Sequence, residues 1–155
     1  MAFDRSHCAT YLAGQMAKGF ARSLQTRGAM LGFSPGQFPV LLELWQEDGL
    51  TQKQLLDRLE VEQATLANTL MRMERGSLIK REPHPKDRRA QIIRLTEVGR
   101  DLERQAIDAA AEADAALFDG FRQFERELMM EYMRMAIDNA RKLGPQPNIY
   151  QKSVT

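Results

Sequence analysis

Residues 78–96 read LIKREPHPKDRRAQIIRLT, and this stretch decides how the chain is interpreted. Two apolar pairs, Leu78–Ile79 and Ile92–Ile93, flank a connector rich in proline and arginine with almost no apolar residue. Short apolar runs separated by turn residues are typical of a β-hairpin. The strands would reach a core, while the tip would offer three cations to a polyanion. These cations are Lys86, Arg88 and Arg89.

The charge of the chain is distributed unevenly, although the net charge is only +1. Residues 72–94 hold eight Lys and Arg against three acids, a net of +5. Residues 97–138 hold eleven acids against five Arg, a net of −6. The acidic half is typical of solvated helix faces. A basic excess on a helix end and a loop instead favours binding to phosphate groups.

Hydrophobic periodicity predicts six helices around the hairpin. Ser34-Pro35 predicts a helix start, with serine as N-cap and proline in the first turn. Thr51 and Gln54 have the spacing of a capping box, and Thr96 is the predicted N-cap of a long helix. The predicted helices are 6–30, 35–47, 52–59, 63–75, 97–119 and 125–143. The expected fold is mainly α, with a small two- or three-stranded antiparallel wing.

The helices predicted at 52–59 and 63–75 are short and nearly adjacent, which is the pattern of a helix-turn-helix. The second helix of such a unit can lie in the major groove of DNA, which is about 12 Å wide. One side of this helix is apolar. On the opposite side, polar residues that can pair with base edges or touch phosphate lie near one face. These residues are Gln63, Thr65, Asn68, Thr69 and Arg72. The predicted polyanion is therefore double-stranded DNA.

The start of the helix at 52 and the hairpin tip supply further predicted contacts. Thr51, Lys53 and the first amides of the helix would hold a phosphate, because a helix N-terminus attracts anions. At the tip, Arg88 or Arg89 would enter a minor groove, where negative potential is concentrated. Asp87 would fix one of these arginines by a charge-assisted hydrogen bond.

The segment from Ser34 to Thr96, continued by Glu97-Val98-Gly99, resembles the MarR family of winged helix-turn-helix transcriptional regulators. The most specific motif is Pro85-Lys86-Asp87-Arg88-Arg89 followed by Leu95-Thr96-Glu97-Val98-Gly99. The preceding motifs are Thr51-Gln52-Lys53-Gln54-Leu55, Ala64-Thr65-Leu66, Arg72-Met73-Glu74 and Leu78-Ile79-Lys80-Arg81. The chain departs from the family at two turns, since the family usually has glycine where Ser77 stands and glycine or a small residue where Glu60 stands.

The resemblance implies a homodimer in which the first and the last two helices of each chain intertwine. Its two winged units would bind a pseudo-palindromic operator as a repressor, and a small aromatic or phenolic ligand would release the DNA. The sequence itself also predicts dimerisation, because the terminal helices carry more apolar surface than one winged unit can cover. The predicted domains are a DNA-binding lobe at 34–96, a helical dimerisation lobe at 6–33 plus 97–145, and a tail at 146–155.

Two further sites remain open at this point. A ligand pocket would be lined by Met16, Phe20, Phe38 and Trp45, although the same residues also fit a plain core. Some MarR-like proteins sense hydroperoxides through a cysteine in the first helix. Cys8 falls about two positions before that place, so it is either an oxidant sensor or an incidental thiol.

No pattern in the sequence predicts an enzyme, a cofactor or a metal site. The two histidines are far apart, no His/Cys spacing resembles a zinc site, and there is no glycine-rich phosphate loop. No apolar run approaches the roughly 18 residues of a membrane span, and the first residues do not resemble a signal peptide. With a single cysteine, a cytoplasmic protein is expected. The competing interpretation is a winged helix used only for contacts with other proteins.

Overall fold

A computed structural model describes residues 2–144, so residue 145 and the predicted tail 146–155 lie outside the described residues. The chain forms two compact units, one up to Leu117 and one from Phe118. After a 3-10 turn at Arg5–His7, the helices are α1 Ala9–Leu31, α2 Phe38–Gln46, α3 Gln52–Leu59, α4 Gln63–Arg75, α5 Glu97–Asp101, α6 Glu103–Leu117 and α7 Gln123–Arg141. The strands are β1 Leu50–Thr51, β2 Ile79–Pro83 and β3 Gln91–Leu95. Within the described range, no helix has the length and apolarity needed to cross a membrane.

The wing is a three-stranded antiparallel sheet in the order β1-β3-β2, so the predicted mainly α fold with a small wing is confirmed. Ile93 lies in the middle strand, paired with Leu50 of β1 and with Arg81 of β2. Successive side chains of a strand point to opposite faces, and the buried pair Ile79 and Leu95 shares the face of Ile93. Because β1 ends directly before α3, backbone pairing fixes the start of α3 to the wing.

The helices α2, α3 and α4 pack their apolar sides into one core with this sheet. Each of their largest buried side chains is at most 2 % exposed. These side chains are Leu41, Leu44, Leu55, Leu66, Leu70 and Met73. The predicted capping box of α3 is confirmed, because Thr51 Oγ1 accepts the Gln54 N–H at 3.1 Å and Gln54 Oε1 accepts the Thr51 N–H at 2.9 Å. The opposite side of α4 therefore faces solvent.

The start of α2 differs from the sequence prediction. Ser34 is not its N-cap, because the helix begins at Phe38 and Gln37 stands at the cap position. The Gln37 side-chain oxygen accepts the Ser34 N–H at 3.1 Å, and the Gln37 N–H donates to the Ser34 carbonyl at 3.0 Å. These bonds form a separate turn before the helix, so the proline in the first turn of α2 is Pro39 rather than Pro35.

The single long helix predicted from Glu97 is wrong, because α5 and α6 are separated at Leu102. The Gly99 carbonyl accepts the indole N–H of Trp45 at 2.9 Å. In an uninterrupted helix, that carbonyl would accept a backbone N–H four residues later. Contacts made by α5 with α2 and with the base of the wing thus compete with regular helical bonding at this point.

Thr96 joins the base of the wing to α5. Its hydroxyl donates to the Ser77 carbonyl at 2.5 Å and accepts the Gly99 N–H at 3.0 Å, which confirms the predicted N-cap. Its backbone N–H donates to the Leu78 carbonyl at 3.0 Å.

Two residues at turns have a left-handed backbone. Ser77 has a φ of +58° and Glu60 a φ of +54°, the region that favours glycine. Both residues stand where the family resemblance leads one to expect glycine or a small residue.

Both compact units carry exposed apolar side chains. The helix α7 buries no residue within the chain, and in the first unit α1 exposes Tyr11 and Leu12 while α6 exposes Ile107. The exposed apolar residues of α7 are Phe124, Leu128, Met130, Tyr132, Met135 and Ile137. Apolar surfaces of this extent mark sites of association. The predicted boundaries of the dimerisation lobe stay a prediction.

Candidate nucleic-acid interface

The exposed side of α4 carries three of the predicted base-contacting residues. Thr65, Asn68 and Arg72 are exposed. At about 100° per residue they lie within about 60° of one another around the helix axis. Thr69 is only half-exposed, and its hydroxyl donates to the Thr65 carbonyl at 2.9 Å. Thr69 therefore binds its own helix, while the other three side chains project together.

Gln63 does not share this face, so the prediction of one face is wrong for it. Five residues of helix turn it by about 140° from Asn68. At the first turn of α4, Gln63 instead lines a cleft between the starts of α3 and α4 and the wing. It is exposed there, whereas Arg72 does not line this cleft.

The cleft measures about 770 Å³ and brings together six residues predicted to contact DNA. They come from the starts of two helices and from the tip of the wing. The six are Thr51, Lys53, Gln63, Asp87, Arg88 and Arg89. The cleft also contains Gln52, Leu56, His84, Ala90 and Gln91. Of the predicted contacts, Lys86 and the residues on the outward face of α4 do not line it.

The start of α3 presents hydrogen-bond donors to this cleft. Thr51 uses its oxygen to accept the Gln54 N–H, but its hydroxyl proton can still be donated. The first amides of a helix, here those of Gln52 and Lys53, have no acceptor within the helix. Together with the positive end of the helix dipole and the Lys53 ammonium, they form a suitable environment for a phosphate.

Three cations on the strands of the wing form ion pairs with two carboxylates. Glu82 lies 2.6 Å from Arg94 and 3.4 Å from Lys80. The hydrogen bond from Arg94, with a smaller contribution from Lys80, lowers the pKa of the Glu82 carboxyl from its ordinary value. Arg81 similarly lies 3.5 Å from Glu74 of α4. Two of their three positive charges are therefore offset by neighbouring carboxylates.

The cations at the tip of the wing are arranged differently. Lys86, Arg88 and Arg89 are exposed, and they form no ion pair with any described residue. Arg88 and Arg89 are the central residues of a β-turn in which the Ala90 N–H donates to the Asp87 carbonyl at 3.2 Å. The tip thus carries three cations against a single acid, Asp87.

Asp87 supports the tip in another way than the sequence suggested. Its Oδ1 accepts the backbone N–H of Arg89 at 3.0 Å, rather than a guanidinium group. A short side chain that accepts an amide two residues later forms an Asx turn. Asp87 therefore fixes the backbone that carries the arginines and leaves their side chains available.

Two residues that position the interface were not identified from the sequence. His84 Nδ1 accepts the backbone N–H groups of Lys86 and Asp87. Its position between two prolines is the only local signal of such a role. Arg81 contacts Glu74 of α4 and also donates to Gln52 of α3 at 3.4 Å. This long-range arrangement has no signature in local sequence.

The predicted effector and redox residues lie outside this cleft. Phe38 stacks on Phe33 with ring centroids 5.8 Å apart and meets the Trp45 ring edge at 6.3 Å. These contacts agree with the alternative interpretation, in which Phe38 and Trp45 belong to a plain core. Met16 and Phe20 are half-buried on α1. Cys8 is half-buried at the N-cap of α1. The ligand pocket and the oxidant sensor stay predictions.

Comparison with known proteins relates this arrangement to one family. Residues 33–90 match the model of the MarR family. The chain is 39 % identical over 72 residues to the organic hydroperoxide resistance transcriptional regulator of Bacillus subtilis (strain 168), covering 46 % of this chain and 49 % of that protein. It therefore spans only about half the length of that relative. It is also 31 % identical over 98 residues to the transcriptional regulator HosA of Escherichia coli O111:H-, covering 63 % of this chain and 73 % of HosA.

A solved structure extends the likeness over most of the fold. The chain resembles a MarR transcriptional regulator from Methanosarcina mazei Go1 with a TM-score of 0.74 and 26 % identity. The superposition covers 85 % of this chain and 98 % of that one. The likeness therefore includes helices on both sides of the wing as well as the matched segment 33–90.

Proposed function

The chain belongs to the MarR family of transcriptional regulators, and on that premise we propose that it is a sequence-specific DNA-binding repressor. Two copies would bind a pseudo-palindromic operator in double-stranded DNA, each with α4 in a major groove and its wing tip in the adjacent minor groove. A small aromatic or phenolic ligand would release the DNA.

The observation that carries this proposal is the charge and donor arrangement around the cleft. Lys53, Arg88 and Arg89 converge there with the first amides of two helices, and Asp87 is the only acid among the lining residues. The outward face of α4 beside it presents Asn68 and Arg72, which suit adenine and guanine edges. Phosphate-binding groups next to base-reading side chains are what a protein needs to bind DNA in one register.

Two-fold association is supported by the apolar surface of the terminal helices. On α7, Tyr132 and Met135 are more than half exposed, although a helix normally buries an apolar stripe against a partner. A second copy of the chain would cover this stripe and hold two winged units at a fixed separation. The recognition helices would then lie about 34–36 Å apart, one turn of DNA.

The effector part of the proposal concerns the half-buried residues of α1 and α2. Phe20 and Phe38 would offer aromatic faces to a ligand ring, and a bound ring would alter how α1 packs on the winged unit. A ligand that favours one arrangement of the two copies would shift the protein away from the DNA-binding state.

Selection from a library of randomised duplexes tests the proposed function. The parent protein should enrich sequences with two inverted half-sites whose centres are about one helical turn apart. Asn68→Ala should enrich the same spacing with one base position in each half-site relaxed, because a bidentate side chain that reads the base is gone. Enrichment of no common sequence would contradict sequence-specific binding, and a single half-site without symmetry would contradict the dimer.

A further inference from the structure

His84 lies at the start of the wing tip, between Pro83 and Pro85, and its ring closes the tip. Its Nδ1 accepts the Lys86 N–H at 3.1 Å and the Asp87 N–H at 3.0 Å. Pro85 has no N–H group, so these are the first two amides after His84. One imidazole nitrogen therefore binds the beginning of the loop that carries the exposed arginines.

The hydrogen bonds continue from His84 to the arginines. Asp87, whose N–H is held by the imidazole, accepts the Arg89 N–H with its carboxylate at 3.0 Å and the Ala90 N–H with its carbonyl at 3.2 Å. The backbone N–H of His84 in turn donates to the Ala90 carbonyl at 3.2 Å. The turn that contains Arg88 and Arg89 is thus enclosed by bonds that begin and end at His84.

This arrangement requires a neutral imidazole. A ring nitrogen accepts hydrogen bonds only when it carries no proton, so Nδ1 must be bare and the proton must sit on Nε2. In the imidazolium form Nδ1 becomes a donor that faces two N–H donors, and both bonds are lost. The charged groups around the ring are Lys53 of α3 and, on the wing, Lys86, Asp87, Arg88 and Arg89; Gln63 of α4 and Gln52 of α3 are uncharged.

We propose that His84 is the positioning residue of the wing, and that it orients Arg88 and Arg89 for DNA only while its imidazole is neutral. Binding that depends on the wing should then be present when the imidazole is neutral, at higher pH, and be lost when it is charged, at lower pH. Histidine is the side chain that ordinarily changes charge between about pH 5 and 8. This inference rests on the proposed DNA-binding function.

The first arm of the test compares His84→Ala with His84→Asn at about pH 8, using a duplex selected by the parent protein. Asparagine places an oxygen acceptor on the same Cγ branch as Nδ1, and this oxygen does not titrate. We expect His84→Ala to bind at least about tenfold more weakly, because the turn that carries Arg88 and Arg89 loses two hydrogen bonds in each protomer, and His84→Asn to bind nearly like the parent. Melting curves should show that the alanine variant remains folded. Equal affinity of His84→Ala and the parent would overturn the positioning role.

The second arm measures the affinity of the parent and of His84→Asn from about pH 8 to about pH 5.5 at constant ionic strength. Other protonation effects occur in both proteins and cancel in the ratio of the two affinities. We expect the parent to fall about tenfold relative to His84→Asn over this range. Parallel profiles would overturn the requirement for a neutral ring. A parent protein that binds no duplex at pH 8 and low salt would instead refute the proposed function itself.

Discussion

Arg88→Ala combined with Arg89→Ala should weaken binding to the selected duplex by at least about a hundredfold at moderate salt. These side chains are exposed, form no ion pair with a described residue and sit in the middle of a hydrogen-bonded turn. In a dimer the double substitution removes four charges from the interface. Each charge that neutralises a phosphate contributes about 0.9 to the slope of log affinity against log salt, so the slope should decrease in magnitude by about 3 to 4.

A charge-matched variant distinguishes this effect from a general loss of positive charge. Lys18→Ala with Arg104→Ala removes the same two charges from exposed positions on α1 and α6. We expect this control to change affinity by no more than about threefold, because charges outside the contact surface are screened over about 10 Å. If the two double variants weakened binding equally, the wing tip would have no specific part in the interface. Affinity and slope can be measured together by fluorescence anisotropy.

Gly99→Ala should destabilise the fold by about 3 kcal/mol or more, the range of strongly disruptive core substitutions. A Cβ at this position would lie 2.1 Å from the Leu78 carbonyl oxygen and 3.1 Å from its carbon. Both are backbone atoms at the base of the wing, where Thr96 donates its N–H to the same carbonyl. Neither group can rotate away, so the substitution must separate α5 from the wing. Urea denaturation at a fixed protein concentration measures the change in the free energy of unfolding.

Ser77→Gly is the matched substitution at the same junction and should act in the opposite direction. Ser77 has a left-handed backbone, which costs a residue with a Cβ roughly 1–2 kcal/mol, while glycine loses about 0.5–1 kcal/mol more entropy on folding. The net expectation is a gain of about 0 to 1.5 kcal/mol. A Gly99→Ala protein as stable as the parent would show that α5 does not need this close approach.

The elements that sequence predicted well are those defined by local interactions. The capping box of Thr51 and Gln54 and the N-cap of Thr96 involve residues three apart. The apolar spacing of Leu66, Leu70 and Met73 on α4 is also contained within one helix. Since the neighbouring residues alone stabilise these features, the pattern is sufficient to identify them.

The features that sequence missed depend on distant residues. The break between α5 and α6 accompanies an indole hydrogen bond from Trp45, 54 residues before Gly99. The sequence prediction left open whether the wing has two or three strands. The third strand forms because Leu50 pairs with Ile93, and no alternating pattern predicts the position of a strand of two residues. At the candidate interface, the sequence predicted the side chains that would face DNA and a supporting role for Asp87, but not the supporting contacts of His84 and Arg81. The two bonds that His84 accepts span only two and three residues, yet their donors are backbone amides that every residue except proline carries.

The measurement that tests the central proposal most directly is a salt titration of the parent protein with duplex DNA of random sequence. Lys53, Arg88 and Arg89 from two copies would neutralise about six phosphates, so log affinity should fall linearly with log salt with a slope of about −5. A slope near zero would show that these cations do not meet the DNA backbone. Absence of binding at low salt would contradict a DNA-binding function and favour the alternative, a winged helix that contacts only proteins.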